Sequence, residues 1–130
     1  MRKKPTKLTF DIKCETLYNA FPRVRYVDIH TEEPLTQLLL LEVEHILSHI
    51  KFSKKAKIDN TVKLIVYLHC LGYTDKQITA GFHKLLKFYT VENVKKKRQR
   101  ALKKIDEHFG KEIGFITLMY ETFKNCDFMD

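Results

Sequence analysis

The fold of this 130-residue chain is decided by residues 90–109, which read TVENVKKKRQRALKKIDEHF. Apolar side chains recur there at spacings of three, four and seven, the period of an amphipathic helix that buries one face. Thr90 is a suitable N-cap, and Gly110 stands where helices commonly end in a left-handed residue. The helix is predicted to span about 30 Å. Its predicted buried stripe consists of Val91, Val94, Ala101, Leu102, Ile105 and Phe109.

A second helix is predicted just before this stretch. Thr74 and Gln77 have the spacing of a capping box, in which each side chain satisfies a free backbone amide at a helix start. The helix that begins there is expected to run to about Lys87. Its apolar face comprises Ile78, Phe82, Leu85 and Leu86.

The helix before that one is expected to be central. Asp59 or Asn60 is a suitable N-cap for residues 61–71, and Gly72 stands where a left-handed terminator belongs. This helix is apolar almost all round, which is typical of an element packed on every side. Its apolar side chains are Val62, Leu64, Ile65, Val66, Leu68 and Cys70.

Apolar residues at spacings of three and four predict two outer helices, over residues 35–51 and 112–124. The second has apolar side chains over well more than half of its circumference, so one core cannot cover them all. They are Ile113, Ile116, Leu118, Met119, Tyr120 and Phe123. We expect either a homodimer interface on this helix or its burial by residues 8–29 of the same chain.

The N-terminal residues lack an evident helical pattern. Residues 8–12 alternate apolar and polar side chains, and residues 24–29 are rich in β-branched and aromatic types after Pro22. Residues 1–34 are therefore predicted to form an extended or β-hairpin arm that begins with a basic tail.

The composition excludes several classes of protein. The hydrophobic content of 44% is enough for a core, and the longest apolar run, residues 38–41, is far below the ~20 residues that span a bilayer. No apolar signal-peptide core follows residues 1–7, and the three cysteines form no C-x-x-C pair. These features predict a soluble, cytoplasmic (intracellular) protein without membrane partner, disulfide framework, metal site or cofactor.

The net charge of +8 is concentrated in one part of the chain. Residues 81–104 carry nine basic groups and one acidic group, whereas residues 31–50 and 105–130 are acidic. A cluster this dense predicts a polyanion partner, with nucleic acid first; the alternative is a solvated helix face that only aids solubility. The densest part comprises Lys95, Lys96, Lys97, Arg98, Arg100, Lys103 and Lys104.

The predicted helices before residue 110 are the parts of a helix-turn-helix, whose recognition helix enters a DNA groove about 12 Å wide. The sequence LGYTDKQI at residues 71–78 resembles the L-G-Y-S-x-x-E-I opening of the helix-turn-helix in region 4 of bacterial sigma factors. The sequence YTVENVKKKRQRALKKI at residues 89–105 is similar to the I-S-x-x-T-V-K-x-R-x-x-R-A-L-K-K-L stretch of the same proteins. Phage late-gene regulators of the ArpU and RinA kind share this pattern.

The resemblance covers residues 60–106 and has one large departure. Five extra residues fall within residues 80–89, so either the scaffold helix is one turn longer or the turn before the recognition helix is expanded. The expected fold is a mainly α, single-domain helical bundle over residues 1–130. It contains a helix-turn-helix unit over residues 60–110 and a C-terminal helix over residues 111–130.

The resemblance implies roles for the side chains of the recognition helix. Core positions match Val94, Leu102 and Ile105. The side chains expected to face bases are Glu92, Asn93, Lys95, Lys96 and Gln99, among which Asn93 and Gln99 have the chemistry to read adenine and Lys96 to read guanine. The side chains expected to meet phosphates are Lys97, Arg98, Arg100, Lys103 and Lys104. These assignments imply sequence-specific binding of double-stranded DNA in transcription control, in a phage or a mobile element.

Two other pairs of residues are of the types found in metal sites or in catalytic sites. His45 and His49 have metal-ligand spacing near Glu42 and Glu44, but they lack the H-E-x-x-H order and lie beside an apolar stripe, so a structural or surface pair is expected. A nucleophile at Cys70 with a base at His69 is disfavoured because adjacent helical residues point about 100° apart. No P-loop or G-x-S-x-G motif is present, and the chain is predicted not to be an enzyme.

Two alternative functions remain open. The chain is either a protein-interaction module for RNA polymerase or another protein, using the apolar C-terminal helix, or a binder of single-stranded nucleic acid. The second alternative depends on whether Phe82, Phe88 and Tyr89 are exposed, because only exposed rings can stack on bases.

Overall fold

The computed structural model describes residues 14–29, 34–110 and 112–124, and within these ranges it contains helices and no strand. The expected mainly helical architecture is therefore confirmed. The helices are α1 (Cys14–Ala20), α2 (Pro22–Ile29), α3 (Pro34–Ser48), α4 (Ala56–Cys70), α5 (Asp75–Lys84), α6 (Val91–Phe109) and α7 (Glu112–Phe123).

Helix α4 is the central element, as its sequence predicts. It packs against α3, α5, α6 and α7, and its side chains from Leu64 to Cys70 are all buried. The turn after it uses Gly72 at φ 87°, where a side chain would be strained. A Cβ atom at position 72 would also overlap the backbone of Phe123 and Lys124, so the end of α7 closes directly onto this turn.

The predicted start of α4 is wrong, because the helix begins at Ala56 rather than at residue 61. Asp59 does not cap the helix. Its Oδ1 atom accepts a hydrogen bond of 2.7 Å from the backbone N–H of Phe52, and its Oδ2 atom lies 3.2 Å from Nζ of Lys63. This buried carboxylate therefore fastens the connection between α3 and α4 onto the first turns of α4.

The predicted extended conformation of residues 24–29 is also wrong, since they belong to α2. Pro22 occupies the first helical position, where its fixed φ angle and missing N–H are tolerated. The β-branched and aromatic composition of this segment is overridden by tertiary packing. The buried apolar side chains are Leu17, Ala20, Phe21 and Val24, at spacings of three and four that continue across the α1–α2 junction. Residues 8–12, the other half of the predicted hairpin, lie outside the described residues.

Helix α5 begins as predicted and ends early. The N–H of Gln77 donates to Oγ1 of Thr74 at 3.2 Å, and the N–H of Thr74 donates to Oε1 of Gln77 at 2.9 Å, which completes the capping box. The helix ends at Lys84, three residues before the predicted end, and residues 85–90 connect it to α6. This connection of six residues is longer than the three or four residues of a typical helix-turn-helix turn.

Helix α7 is buried by α3, α4 and α6, which are its main packing partners. Ile116, Met119 and Phe123 lie on its buried face, at spacings of three and four. Leu118 is 57% exposed, which agrees with the expectation that one core cannot cover every apolar residue of this helix. Residues 14–29 pack elsewhere, with α1 against α2 and α5.

Candidate nucleic-acid interface

Helix α6 carries one continuous basic face, which comprises Lys95, Lys96, Gln99, Arg100 and Lys103 with Glu92 at its start. These residues recur at spacings of three and four, so they share one side of the helix, and all of them are exposed. The opposite side holds Val94, Ala101 and Ile105, which are fully buried. The solvent side of α6 is therefore mainly cationic between Lys95 and Lys103, whereas Glu92 at its start and Asp106 and Glu107 near its end are exposed acidic residues.

The predicted buried stripe of α6 is correct except at its first residue. Leu102 and Phe109 are half-buried against the core, whereas Val91 is exposed. Val91 is the first helical residue of α6, and it is 42% exposed. Packing therefore begins only at Val94.

The start of α6 is held by a second capping box. The N–H of Asn93 donates to Oγ1 of Thr90 at 3.1 Å, and the Asn93 side chain accepts from the N–H of Thr90 over a longer 3.5 Å. Asn93 is exposed but already serves the helix start. Its amide can therefore meet an adenine edge only by giving up this weak contact.

Arg98 does not lie on the basic face. Its Nε and Nη2 atoms donate to the two carboxylate oxygens of Asp75 at 2.7 and 2.8 Å, and both side chains are only 18% exposed. This hydrogen bond and the opposite charge of Asp75 raise the pKa of Arg98. Arg98 thus joins α6 to the first turn of α5, and the side chain predicted to meet a phosphate is engaged by an internal carboxylate.

Two further cations are used inside the protein. The ammonium group of Lys97 lies 5.6 Å from the centre of the Tyr89 ring, within reach of a cation–π interaction. Nζ of Lys104 donates to the backbone carbonyl of Lys51. Both lysines are half-buried. Of the five residues predicted to meet phosphate, Arg100 and Lys103 are thus the two with exposed side chains and no internal contact of this kind.

A second group of cations lies beside the far end of α6. Lys51, Lys54, Lys55 and Lys57 are exposed in the connection between α3 and α4 and in the first turn of α4. We call them the 51–57 lysines. The hydrogen bond from Lys104 to the carbonyl of Lys51 holds this connection against α6. This contact, which only the fold reveals, brings Lys51 beside α6 next to Lys104.

A polar cluster lies behind the Arg98–Asp75 pair. The ring of His69 stacks on the ring of Tyr120, with centroids 4.2 Å apart and planes 8° from parallel. Burial, together with the positive charge of Arg98, lowers the pKa of His69 to about 4, although the negative charge of Asp75 opposes this shift. His69 is therefore neutral at physiological pH, and it supports packing between α4 and α7 without adding charge to the surface.

The aromatic residues near α6 differ in exposure. Phe82 is fully buried and Tyr89 is half-buried, with their ring centres 5.8 Å apart, whereas Phe88 is 74% exposed. The core position expected for these rings is thus correct for Phe82, partly correct for Tyr89 and wrong for Phe88.

The His45–His49 pair and Cys70 do not have the geometry of a metal site or of a catalytic nucleophile. The rings of His45 and His49 lie 4.3 Å apart, and Nδ1 of His49 pairs with the His45 carbonyl over 2.9 Å. No group of three metal-binding side chains occurs among the described residues. Cys70 is fully buried, and burial raises the pKa of its thiol, so it is a poor nucleophile.

No helix in the part of the chain that the structure describes has the length and apolar content to cross a bilayer. Comparison of the chain with protein families, with curated proteins and with solved structures found no match.

Proposed function

We propose that this protein binds double-stranded DNA through the basic face of α6. The observation that carries the proposal is the division of α6 into two sides. Lys95, Lys96, Arg100 and Lys103 project together into solvent, while the opposite side is anchored in the core. A helix anchored in the core whose exposed side between Lys95 and Lys103 offers cations and hydrogen-bonding groups suits the negatively charged groove of a duplex.

The side chains of the basic face differ in chemistry, which supports separate roles in contacting phosphates and in contacting bases. Arg100, Lys103 and the 51–57 lysines are the proposed phosphate contacts, because long exposed cations neutralise the backbone without reading sequence. Gln99, Lys96 and Lys95 are the proposed base contacts, with Glu92 and Asn93 at the leading end of the helix. Binding with this division would be sequence-specific.

The proposed biological role is transcription control, through a variant helix-turn-helix made by α5 and α6. Its support is the likeness of residues 71–78 and 89–105 to sigma-factor region 4, together with direct packing of α6 on α5. Such a role would be exercised inside the cell and by binding rather than by catalysis.

The experiment that tests this function is a titration of the full chain against random duplex DNA, single-stranded DNA and RNA, at several salt concentrations. We expect the tightest binding to duplex, with the affinity falling as salt rises. Equal or tighter binding to single strands would favour the single-stranded alternative. An absence of binding to all three at 50 mM salt would overturn the proposal.

Self-association through α7 is a second candidate property, supported by the exposure of Leu118. A two-fold dimer would place two recognition helices on half-sites about one DNA turn apart. RNA polymerase or another protein is the alternative occupant of this surface. Sedimentation of the chain and of Leu118→Asp at tens of micromolar tests the dimer, because Leu118 is not needed for the core; a wild-type monomer would reject it.

A further inference from the structure

The connection between α5 and α6 presents two large apolar side chains to solvent. Leu86 is 78% exposed and Phe88 is 74% exposed, with Lys87 between them. Burying such a side chain normally stabilises a protein by about 1.5–3 kcal/mol. Because Leu86 and Phe88 both remain exposed, neither side chain contributes this stabilisation. Single exposed apolar residues are ordinary, but an adjacent pair on a short connection is characteristic of a contact surface.

The backbone gives a second, independent observation. Leu86 has φ 61°, and it is the only non-glycine residue with positive φ in the described ranges. The N–H of Lys87 donates to the Phe82 carbonyl at 2.8 Å, and that of Leu86 to the His83 carbonyl at 3.1 Å, which is the Schellman pattern at a helix end. Glycine usually occupies this position, because a side chain there is strained. Leu86 therefore has a strained backbone conformation, and its mostly exposed side chain buries too little apolar surface to offset that strain.

The connection holds its apolar side chains in a defined place. Nε2 of His83 donates to the carbonyl of Tyr89 at 3.1 Å, which ties the end of α5 to the residue before the α6 cap. The His83 ring also lies 5.6 Å from the Phe88 ring. A pre-organised side chain loses less conformational entropy when it meets a partner.

The charges nearby identify the chemistry of that partner. Lys84 lies two residues before Leu86, Lys87 lies between Leu86 and Phe88, and Lys95, the first cation of the basic face of α6, follows Phe88 by seven residues. A partner must therefore offer dense negative charge together with flat apolar surface. Nucleic acid has both, since phosphates surround stacked bases, and apolar side chains of DNA-binding proteins insert between base steps and unstack them.

We propose that Leu86 and Phe88 form an apolar wedge that contacts the bases of the bound DNA at a step that is unstacked. This proposal rests on the DNA binding proposed above. The base step beside α6 would be kinked or opened, and DNA in which that step is already unpaired would be bound more tightly, because the energy of unstacking has been removed. The connection would thus select deformable DNA while the basic face supplies most of the affinity.

The test measures binding of the full chain to a paired duplex and to the same duplex with a two-nucleotide mismatch bubble. We expect roughly tenfold tighter binding to the bubble, which corresponds to one stacking contact. Phe88→Ala should reduce that ratio to below about two and leave affinity for the paired duplex within about threefold. A 2-aminopurine base at the bound step should brighten with the wild-type protein and not with Phe88→Ala, because unstacking relieves its quenching.

Two control variants separate the wedge from the fold and from the basic face. Leu86→Gly should lower the bubble preference and yet melt at the same or a higher temperature, because it relieves the strained backbone without removing buried surface. Leu38→Ser removes a 63% exposed apolar residue of α3, to which no role in DNA binding is assigned, and it should leave the bubble preference unchanged.

The outcomes distinguish this proposal from the proposed function. Salt-dependent duplex binding with equal affinity for bubble and duplex would overturn the wedge and leave DNA binding intact. A bubble preference that survives both Phe88→Ala and Leu86→Gly would also overturn it. Loss of all DNA binding in the wild type would overturn both proposals. Binding of the connection to a protein or a lipid vesicle in place of DNA would count against the wedge.

Discussion

Arg98 of α6 and Asp75 of α5 form a two-pronged ion pair, with Nε 2.7 Å from Oδ1 and Nη2 2.8 Å from Oδ2. The pair lies mostly out of solvent and joins the two helices of the proposed DNA-binding unit. It also removes one arginine from the cations that can meet a phosphate. The arginines of α6 therefore divide into one that builds the unit and one, Arg100, that is exposed on it.

The first prediction contrasts these two arginines. Arg98→Ala should destabilise the protein by about 1–3 kcal/mol, because it leaves the Asp75 carboxylate poorly solvated and without its charged donor. Arg100→Ala should change stability by less than about 0.5 kcal/mol, since its side chain is exposed. Urea unfolding of both variants measures the difference. Equal stability of the two would contradict the role assigned to Arg98.

The second prediction concerns the division of roles on the basic face. Lys103→Ala should weaken binding to all duplex sequences alike, whereas Gln99→Ala should relax preference at one or two base pairs, at about 1–3 kcal/mol each. Selection of bound sequences from a random pool, followed by affinity measurements, gives both quantities. If both variants weaken every sequence uniformly, α6 reads no sequence and acts as an electrostatic anchor.

The third prediction concerns pH. His69 has a pKa of about 4 in the folded protein and about 6.5 when exposed, so the unfolded chain binds more protons between these values. The contribution of His69 to stability is complete above pH 6.5, and it falls by up to about 1.4 kcal/mol per pH unit as the pH drops towards 4.

His69→Phe is the matched variant for this test, because it keeps a ring against Tyr120 and cannot be protonated. The free energy of unfolding of the wild type should fall more steeply between pH 6.5 and 4.5 than that of the variant. Parallel curves over this range would show that His69 is not held neutral by its surroundings.

The fourth prediction compares two glycines in helices. A Cβ atom at Gly81 would run into the ring of Phe21, which is fully buried, so Gly81→Ala should destabilise the protein by about 1–3 kcal/mol. A Cβ at Gly114 meets nothing within 4 Å, so Gly114→Ala should stabilise α7 by up to about 1 kcal/mol. Thermal melting of both variants gives the signs. A melting temperature that rises in Gly81→Ala would contradict the packing of Phe21 on α5.

The sequence predicts the helices that have clear local signals. The capping box at Thr74 and the N-cap at Thr90 mark helix starts to the residue, and Gly72 and Gly110 mark helix ends. The end of α5 was harder to predict, because Leu86 adopts the left-handed conformation without being glycine. The helices α1 and α2 were missed because β-branched residues obscured the spacing of Leu17, Phe21 and Val24, which becomes visible once the segment packs.

The different roles of the cations in the candidate site could not be predicted from the sequence. Charge density along the chain identifies α6, but it treats seven cations as equivalent. Helical geometry separates Arg100 and Lys103 from Arg98, and only the packing of α5 on α6 provides the carboxylate of Asp75 that engages Arg98. The contact between Lys104 and the carbonyl of Lys51 joins residues 53 positions apart, so no local pattern reveals it.

The most direct test of the central claim is the salt dependence of duplex binding. Arg100 and Lys103, together with two or three of the 51–57 lysines, are the proposed phosphate contacts, and they should give a slope of log affinity against log salt of about −3.6 to −4.5. The double variant Arg100→Ala with Lys103→Ala should reduce the magnitude of that slope by about 2, whereas Arg98→Lys should leave it unchanged. An unchanged slope in the double variant, or a wild-type slope near zero, would contradict DNA binding through the basic face of α6.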